Sequence, residues 1–543
     1  MKKINPAESV EALKRAKNPW TRLDEIREFA AHGWESIPEE WLRTYFRWWG
    51  VYTQGNGEGV LGGRGGEGRT TPWFMVRIRI PSGLLTADQA CTIADLAERY
   101  GRGLLDITTR HNFQLHWIRI EDLPAVLERV RDAGLTTLAA CGDDARNITG
   151  CSLAGLDADE ICDASPLVVE AAAMLVGAEE FYNLPRKYKV SITGCQVWCC
   201  FPEINDLALT ATRRGDETGF SIRVGGGLSN TPHFARKLDA FVRWDQALAV
   251  VRATTELFRD ADPLRENRKR ARLKFLFVRH GWSEQRFLDE LHQRLGFQLD
   301  PAVPESEPDS PYRDHVGIHA QKQRGLCYVG AAVARGRITP TQLRAAADLA
   351  LTDGSGALRT TTTQNLVLVD VPAARAGGVA DQLAGHGLST TPDPFARGLL
   401  ACTGSEFCKL SLTETKGFAK NLSAQLRRLV PGFDQPLRIS VTGCPNGCAQ
   451  HAVADIGLEG CKIRTDRGLE DGFSFRLGGA LGRERSFGRN IGFRCPAGDA
   501  AQSIAALLEG FLEQRRSGQS LQSFLQDTET ERLAAMMDAA TRA

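Results

Sequence analysis

The chain has 543 residues, with 67 Lys and Arg against 66 Asp and Glu, and 42% of it is hydrophobic. So even a balance gives no global attraction to nucleic acid or to a membrane surface, and any anion site has to be built locally. The length exceeds what one hydrophobic core supports and implies several domains. No apolar run of about twenty residues is present to span a bilayer. The opening M-K-K-I-N-P-A-E-S-V has charge but no apolar run behind it, so no signal peptide is expected. Fourteen cysteines without an export signal read as reduced thiols or metal ligands, and the cytoplasm is the expected location.

Residues 1–60 show charged helical periodicity at 10–17, 23–31 and 40–49, which predicts an N-terminal helical arm laid over the domains behind it. Residues 55–71 are glycine-rich and include a formal G-x-G-x-x-G at Gly63, Gly65 and Gly68. That motif binds nucleotides only between a strand and a helix, and here T-T-P-W follows, so the stretch reads as a mobile loop. From Trp73 the pattern alternates: a strand at 74–81, a helix at 86–100, a strand at 105–120 and a helix at 123–133. The order suggests a ferredoxin-like half-domain over 61–135.

The order then returns. G-V-Y-T-Q at 50–54 is echoed by G-I-H-A-Q at 317–321, and G-L-L-T-A-D-Q at 83–89 by G-R-I-T-P-T-Q at 336–342. I-T-T-R-H-N at 107–112 is echoed by T-T-T-T-Q-N at 360–365, and V-S-I-T-G-C at 190–195 by I-S-V-T-G-C at 439–444. F-S-I-R-V-G-G at 220–226 matches F-S-F-R-L-G-G at 473–479. Five echoes in one order mean a duplicated unit. Residues 304–311, rich in Pro, Ser and acidic side chains, read as the linker. The expected fold is α+β and pseudo-twofold: two ferredoxin-like half-domains (61–135 and, with the linker, 304–395) and two larger α/β domains (136–303 and 396–543).

The densest chemistry lies between Cys402 and Cys448. A-C-T-G-S-E-F-C places Cys402 and Cys408 as C-x5-C, and T-G-C-P-N-G-C-A places Cys444 and Cys448 as C-x3-C. Four thiolates from two short loops suit a cubane iron–sulfur cluster, one soft sulfur per iron. Zinc, or simple burial of small apolar thiols, are the rival readings. In the first copy, aligning Thr149 and Gly150 with Thr403 and Gly404 puts Ile148 and Ala154 opposite Cys402 and Cys408. Only a C-x3-C echo at Cys195 and Cys199 then remains, so Cys195, Cys199 and Cys200 are expected to be structural.

The paired motif resembles that of the sirohaem-containing sulfite and nitrite reductases, and the resemblance runs through nearly the whole chain. It implies a [4Fe–4S] cluster on Cys402, Cys408, Cys444 and Cys448, with Cys448 also ligating the sirohaem iron. Sirohaem carries eight carboxylates and its substrate is a small oxyanion, so a cationic cradle is implied in the first copy. Arg77 in M-V-R-I-R-I-P, where alternation puts it on one face with Arg79, matches the substrate-side arginine. Arg146, opening R-N-I-T-G-C, and Lys187 and Lys189 in P-R-K-Y-K match the other substrate-binding positions. Arg110, with Gln114 on the same strand face, is the candidate partner for the sirohaem carboxylates. Its repeat partner is Thr363, so the fold does not need its charge. Asn446 joins Arg110, Gln114 and Cys448 as an implied sirohaem contact.

The resemblance implies six-electron reduction, with single electrons from an external donor, ferredoxin, entering through the cluster. Nitrite reductases of the family usually carry Asn where Lys189 stands and sulfite reductases Lys, which favours sulfite to sulfide. R-N-I-T-G and D-I-T-T-R look closer to the nitrite branch, so nitrite to ammonia is the alternative. A non-catalytic iron–sulfur carrier would need the cluster but not the cations. Cys141, just before Arg146, is either a packed thiol or one that reacts with Tyr52.

Overall fold

The N-terminal periodicity becomes helices Pro6–Ala16, Leu23–His32 and Glu39–Arg43 in a computed structural model, which describes residues 6–55 and 71–542. The Gly63, Gly65 and Gly68 motif lies outside the described residues. The arm is held by aromatic burial: Trp41, Tyr45 and Phe46 are each at most 1% exposed, and Phe46 packs 4.8 Å from Phe74 in the first sheet. Each such ring contributes on the order of 1.5–3 kcal/mol by leaving water. Lys14 fixes the arm's far end by donating to the Leu184 carbonyl at 2.9 Å, beside Asp143 at 3.6 Å.

Alternation in 74–78 gives the strand Phe74–Ile78, with Phe74, Val76 and Ile78 fully buried. The stretch read as one strand over 105–120 is a hairpin of Leu105–Ile107 and Phe113–Ile118, turning through His111 at φ 65°. Arg110 therefore sits in the turn and Gln114 on the strand, not together on one strand face. The helix Ala87–Tyr100 starts at a capping box between Thr86 and Gln89, and its repeat Pro340–Asp353 starts at the same box between Thr339 and Gln342.

The two half-domains exchange edge strands. The first sheet runs Val51–Thr53, Phe74–Ile78, Phe113–Ile118, Leu105–Ile107 and ends on Arg337–Ile338 from the second copy. The second runs Gly317–Ala320, Leu326–Ala331, Leu366–Pro372, Ala357–Thr360 and ends on Leu84–Thr86 from the first. At the first junction Asp106, 2% exposed, receives Arg337 at 2.9 and 3.2 Å and lies 3.1 Å from His116 and 3.7 Å from Lys416. The turns cross as well: His111 Nδ1 meets the Thr360 carbonyl at 2.8 Å, and the Gln364 amide donates to the Ile107 carbonyl at 2.8 Å.

Each larger domain repeats one pattern, a parallel strand pair followed by antiparallel strands. In the first copy Val190–Thr193 pairs in parallel with Leu207–Arg214, followed by Glu217–Val224 and Arg236–Arg243. In the second, Leu399–Ala401 and Ile439–Thr442 precede Ile456–Thr465, Gly468–Leu477 and Arg489–Pro496. The linker is tied down, with Glu305 receiving the Arg223 guanidinium at 2.7 Å.

This pairing corrects the sequence register in one place. Thr149 bridges Ser191 in parallel as Leu400 pairs with Ser440, and Ser191 and Ser440 are repeat equivalents. Thr149 thus corresponds to Leu400 and Cys151 to Cys402, three residues away from the Ile148 alignment read from T-G. The first copy keeps three of the four cysteine positions.

The exchange junction predicts an acid-labile fold. Burial pushes the Asp106 carboxyl up, but Lys416, Arg337 and His116 outweigh it and hold it well below the ordinary range. Its stabilising share is complete above the unfolded-state value of about 3.9 and is lost as pH falls below that. Asp106→Asn leaves Arg337 and Lys416 buried with a weaker partner and should cost about 3–5 kcal/mol, read as a lowered unfolding midpoint in denaturant at neutral pH.

Candidate active site

A cavity of about 350 Å³ opens between the two copies. Among the described residues, nine Lys and Arg line it against a single carboxylate, Asp106, in a chain whose formal net charge is +1. Arg77, Arg110, Arg146, Lys187, Lys189 and Gln114 reach it from the first copy, and Cys402, Cys408, Cys444, Asn446 and Cys448 from the second. All the residues singled out in the sequence for substrate, sirohaem and cluster are thus brought to one place. The sequence reading missed Arg47, Arg186, Lys409 and Lys416, which come from the arm, from the P-R-K-Y-K segment and from behind Cys408. Arg186 stood beside Lys187 in the motif and was the one that could have been found.

The cations are fixed from behind. Arg77 donates to the Ala140 carbonyl at 3.1 Å, to the Cys141 sulfur at 3.2 Å and to the Gln114 side-chain oxygen at 3.2 Å. Gln114 in turn donates to Thr403 at 3.4 Å, tying the strand to the cysteine loop. Arg79 does not share this fate: it is 1% exposed and turned into carbonyls of Leu138 and Ala145. Arg146 donates to the carbonyls of Ala140 at 3.2 Å and Gly142 at 2.8 Å and lies 3.6 Å from Asp144. Burial opposes its charge, but Tyr52, Cys141 and Asp144 more than compensate. Arg110 donates to Asn205 at 2.8 Å and to the carbonyls of Asn147 at 2.6 Å and Val190 at 3.1 Å, and burial lowers it to about 9. The Nε atoms of Arg77, Arg110 and Arg146 are buried without a hydrogen-bond partner.

Lys187 and Lys189 are half-buried and crowded by like charge. Burial, then Arg272 and Arg186, push Lys187 down to about 7. Burial, then Arg110 and Arg272, hold Lys189 well below the ordinary lysine value. Behind them Asp206 takes both Arg272 nitrogens, at 3.0 and 2.7 Å, and accepts from the Lys189 amide at 2.8 Å. Asp143 binds Arg186 at 3.0 Å and Arg268 at 2.6 Å. Cys141 is buried, with its thiol pushed up by burial against Arg77 and Arg146, and it shares a hydrogen bond with Tyr52.

On the opposite wall the Gly443 amide donates to the Cys402 sulfur at 3.3 Å. Gly404 holds φ +70°, and a Cβ there would fall 2.4 Å from the Thr415 hydroxyl oxygen, so the loop between Cys402 and Cys408 requires glycine. Burial, then Cys448, push the thiols of Cys408 and Cys444 up to about 12. Sulfurs that raise one another in this way become thiolates together when a metal lies among them. The two walls touch where the Thr109 hydroxyl donates to the Cys448 carbonyl at 3.2 Å. Soft sulfurs on one side and unspent guanidinium donors on the other fit an iron–sulfur cluster beside a polyanionic macrocycle.

Comparison with known proteins agrees. The family model described as the nitrite and sulphite reductase 4Fe-4S domain matches residues 141–299 and 393–540. The one for the nitrite/sulfite reductase ferredoxin-like half domain matches 67–133 and 319–386. The chain belongs to the nitrite and sulphite reductase family. It is an enzyme whose cofactors are a [4Fe–4S] cluster and sirohaem. An assimilatory ferredoxin-dependent nitrite reductase of Haloferax mediterranei is 38% identical, the match covering 93% of this chain and 89% of that one. A ferredoxin sulfite reductase of Mycobacterium tuberculosis is 36% identical, over 95% of this chain and 94% of that one. The solved structure of the Mycobacterium tuberculosis NirA protein superposes with a TM-score of 0.92 at 35% identity, covering 97% and 98% of the two chains.

In a substrate-binding role, Lys187 should set a pH dependence for anion capture. Its charge is present below about 7 and lost above it, so affinity for a small oxyanion falls as pH rises through that value. With nitrite, which stays an anion throughout, kcat/KM should decline across neutrality in the native enzyme, and Lys187→Met should flatten the profile and lower its acid limb about tenfold, ~1.4 kcal/mol.

Proposed function

We propose that the chain reduces sulfite to sulfide in the cavity between its two copies, in six one-electron steps supplied by ferredoxin. The observation that carries this reading is that Lys187 and Lys189 line the same cavity as the four cysteines. A dianion with three oxygens gains more from a second lysine than a smaller monoanion does. Burial among cations loosens the hold of Lys189 on its proton, and an anion beside it would tighten that hold, so the lysine responds most to the more highly charged substrate.

In this reading Cys402, Cys408, Cys444 and Cys448 would hold the cluster, and Cys448 would also serve the sirohaem. Arg110, Gln114 and Asn446 would receive the carboxylates of the macrocycle. The two cofactors supply electrons and an iron for the substrate's lone pair. Arg77 and Arg146 orient the oxyanion, as planar donors anchored on backbone carbonyls. Each oxygen leaves as water and needs two protons, and Lys187, poised at about 7, can give and regain one near neutral pH.

A ferredoxin donor fits the relatives, several of which are ferredoxin sulfite or nitrite reductases. The cytoplasm fits free thiols at all fourteen cysteines, and among the described residues no helix is long and apolar enough to cross a membrane. Nitrite is the second reading, favoured by the Haloferax mediterranei relative.

Pure enzyme with reduced ferredoxin decides between them by kcat/KM for sulfite and for nitrite under matched conditions. Sulfite should be preferred, and Lys189→Asn should shift the ratio toward nitrite by about tenfold, ~1.4 kcal/mol. A native preference for nitrite that Lys189→Asn leaves in place would sink the sulfite reading. The cluster assignment has its own check: Cys444→Ser should strip cluster iron and acid-labile sulfide from the purified protein.

A further inference from the structure

The three cysteines retained in the first copy form a group of their own. The sulfurs of Cys151, Cys195 and Cys199 all lie within 4.8 Å of one another, and all three residues are at most 2% exposed. Among the described residues no other set of three or more potential ligands meets that spacing, and the four cysteines of the active site do not. The difference is chemical. A tetrahedral ion with sulfurs at about 2.3 Å sets neighbouring sulfurs about 3.8 Å apart, whereas a cubane puts each thiolate on a different iron and spreads them wider.

A further donor lies in the same region, outside the spacing of the three sulfurs. His315 is 2% exposed, and neither of its ring nitrogens has a hydrogen-bond partner. Its ring interacts electrostatically with Cys195. A buried imidazole with both nitrogens unsatisfied costs about 1–3 kcal/mol per lost bond, a cost that a metal–nitrogen bond removes. His315 also holds φ +61°, a left-handed backbone uncommon outside glycine, so the chain adopts an unfavourable conformation where it places this ring. The remaining surroundings are apolar, with Leu153, Tyr328, Val367 and Val369 closing around the sulfurs. Enclosed by apolar side chains, with three sulfurs already in place, this is the environment of a structural ion rather than a catalytic one.

We propose that Cys151, Cys195 and Cys199, joined by His315 as the ion is taken up, bind a single divalent ion, zinc, at the place in the first copy that corresponds to the iron–sulfur cluster in the second. Binding releases the protons of the three thiols and forms three metal–sulfur bonds and one metal–nitrogen bond, with no change of oxidation state. The ion joins parts of the chain that are far apart: the three cysteines come from the first larger domain, and His315 from the segment leading into the second half-domain. Hydrogen bonds already follow that seam, Thr362 donating to the Cys199 carbonyl at 2.7 Å and Ser152 to the Thr360 carbonyl at 3.0 Å.

Elemental analysis of the holoenzyme, before and after incubation with zinc and desalting, tests this directly. About one tightly held zinc per chain is expected beside the iron, with zinc-edge X-ray absorption fitting three sulfurs and one nitrogen. Cys195→Ser should lose the zinc and keep the cluster iron, and His315→Gln, less disruptive should the cysteine variant fail to fold, should weaken retention and remove the nitrogen. No zinc under either condition, zinc held equally by both variants, a disulfide among the three cysteines, or additional iron in their place would each overturn the proposal.

Discussion

Nine basic side chains among the described residues face one cavity and repel one another when charged, and much of the architecture behind them contains that repulsion. The containment lies one layer back. Asp143 takes Arg186 and Arg268, and Asp206 takes Arg272 and the Lys189 amide. Because the carboxylates sit behind the guanidinium groups, they stabilise the charges without cancelling the field inside. The lysines, buried among like charge, hold their protons less tightly than usual. In the proposed reaction, anion binding and proton supply would then be two results of one electrostatic arrangement.

Duplication supplied the frame, and the copies then diverged in opposite senses. The second copy has a cavity of its own, about 730 Å³, lined by Thr363 and His319, the repeat partners of Arg110 and Tyr52. Its arginines are already neutralised: Arg397 lies on Asp314 at 2.5 Å, and Arg438 is paired with Asp455. One half thus kept unspent cations and three cysteine positions, and the other kept four cysteines and paired its cations. The active cavity is a heterologous product of two similar parts.

Much of this was legible in the sequence because it is local. The echoes and the C-x5-C and C-x3-C pairs are each written within a few residues, and the structure sets the echoed segments at equivalent places and the paired cysteines on one cavity. What escaped depends on register or distance. Cys151 was hidden because T-G at 149–150 aligned by identity with T-G at 403–404, while strand pairing sets a frame three residues away. The turn at His111 was hidden inside a run that alternates like one strand. Arg47, Lys409 and Lys416 reach the cavity from separate segments, and no spacing rule brings them together. The exchange of Arg337–Ile338 for Leu84–Thr86 was invisible for the same reason: an edge strand of two or three residues carries no pattern that names its neighbour.

That exchange has a consequence for how such a chain could arise. Strands swapped across a pseudo-twofold axis are the signature of a symmetric pair, so a single-copy ancestor with this topology would have been an obligate homodimer holding two identical cavities. In such a pair every substitution acts twice, and a cavity could not gain a cation without its twin gaining one. Fusion into one polypeptide breaks that bond between the sites. It lets one pocket be specialised while the other is released to structural work, at no cost to the interface that keeps both standing.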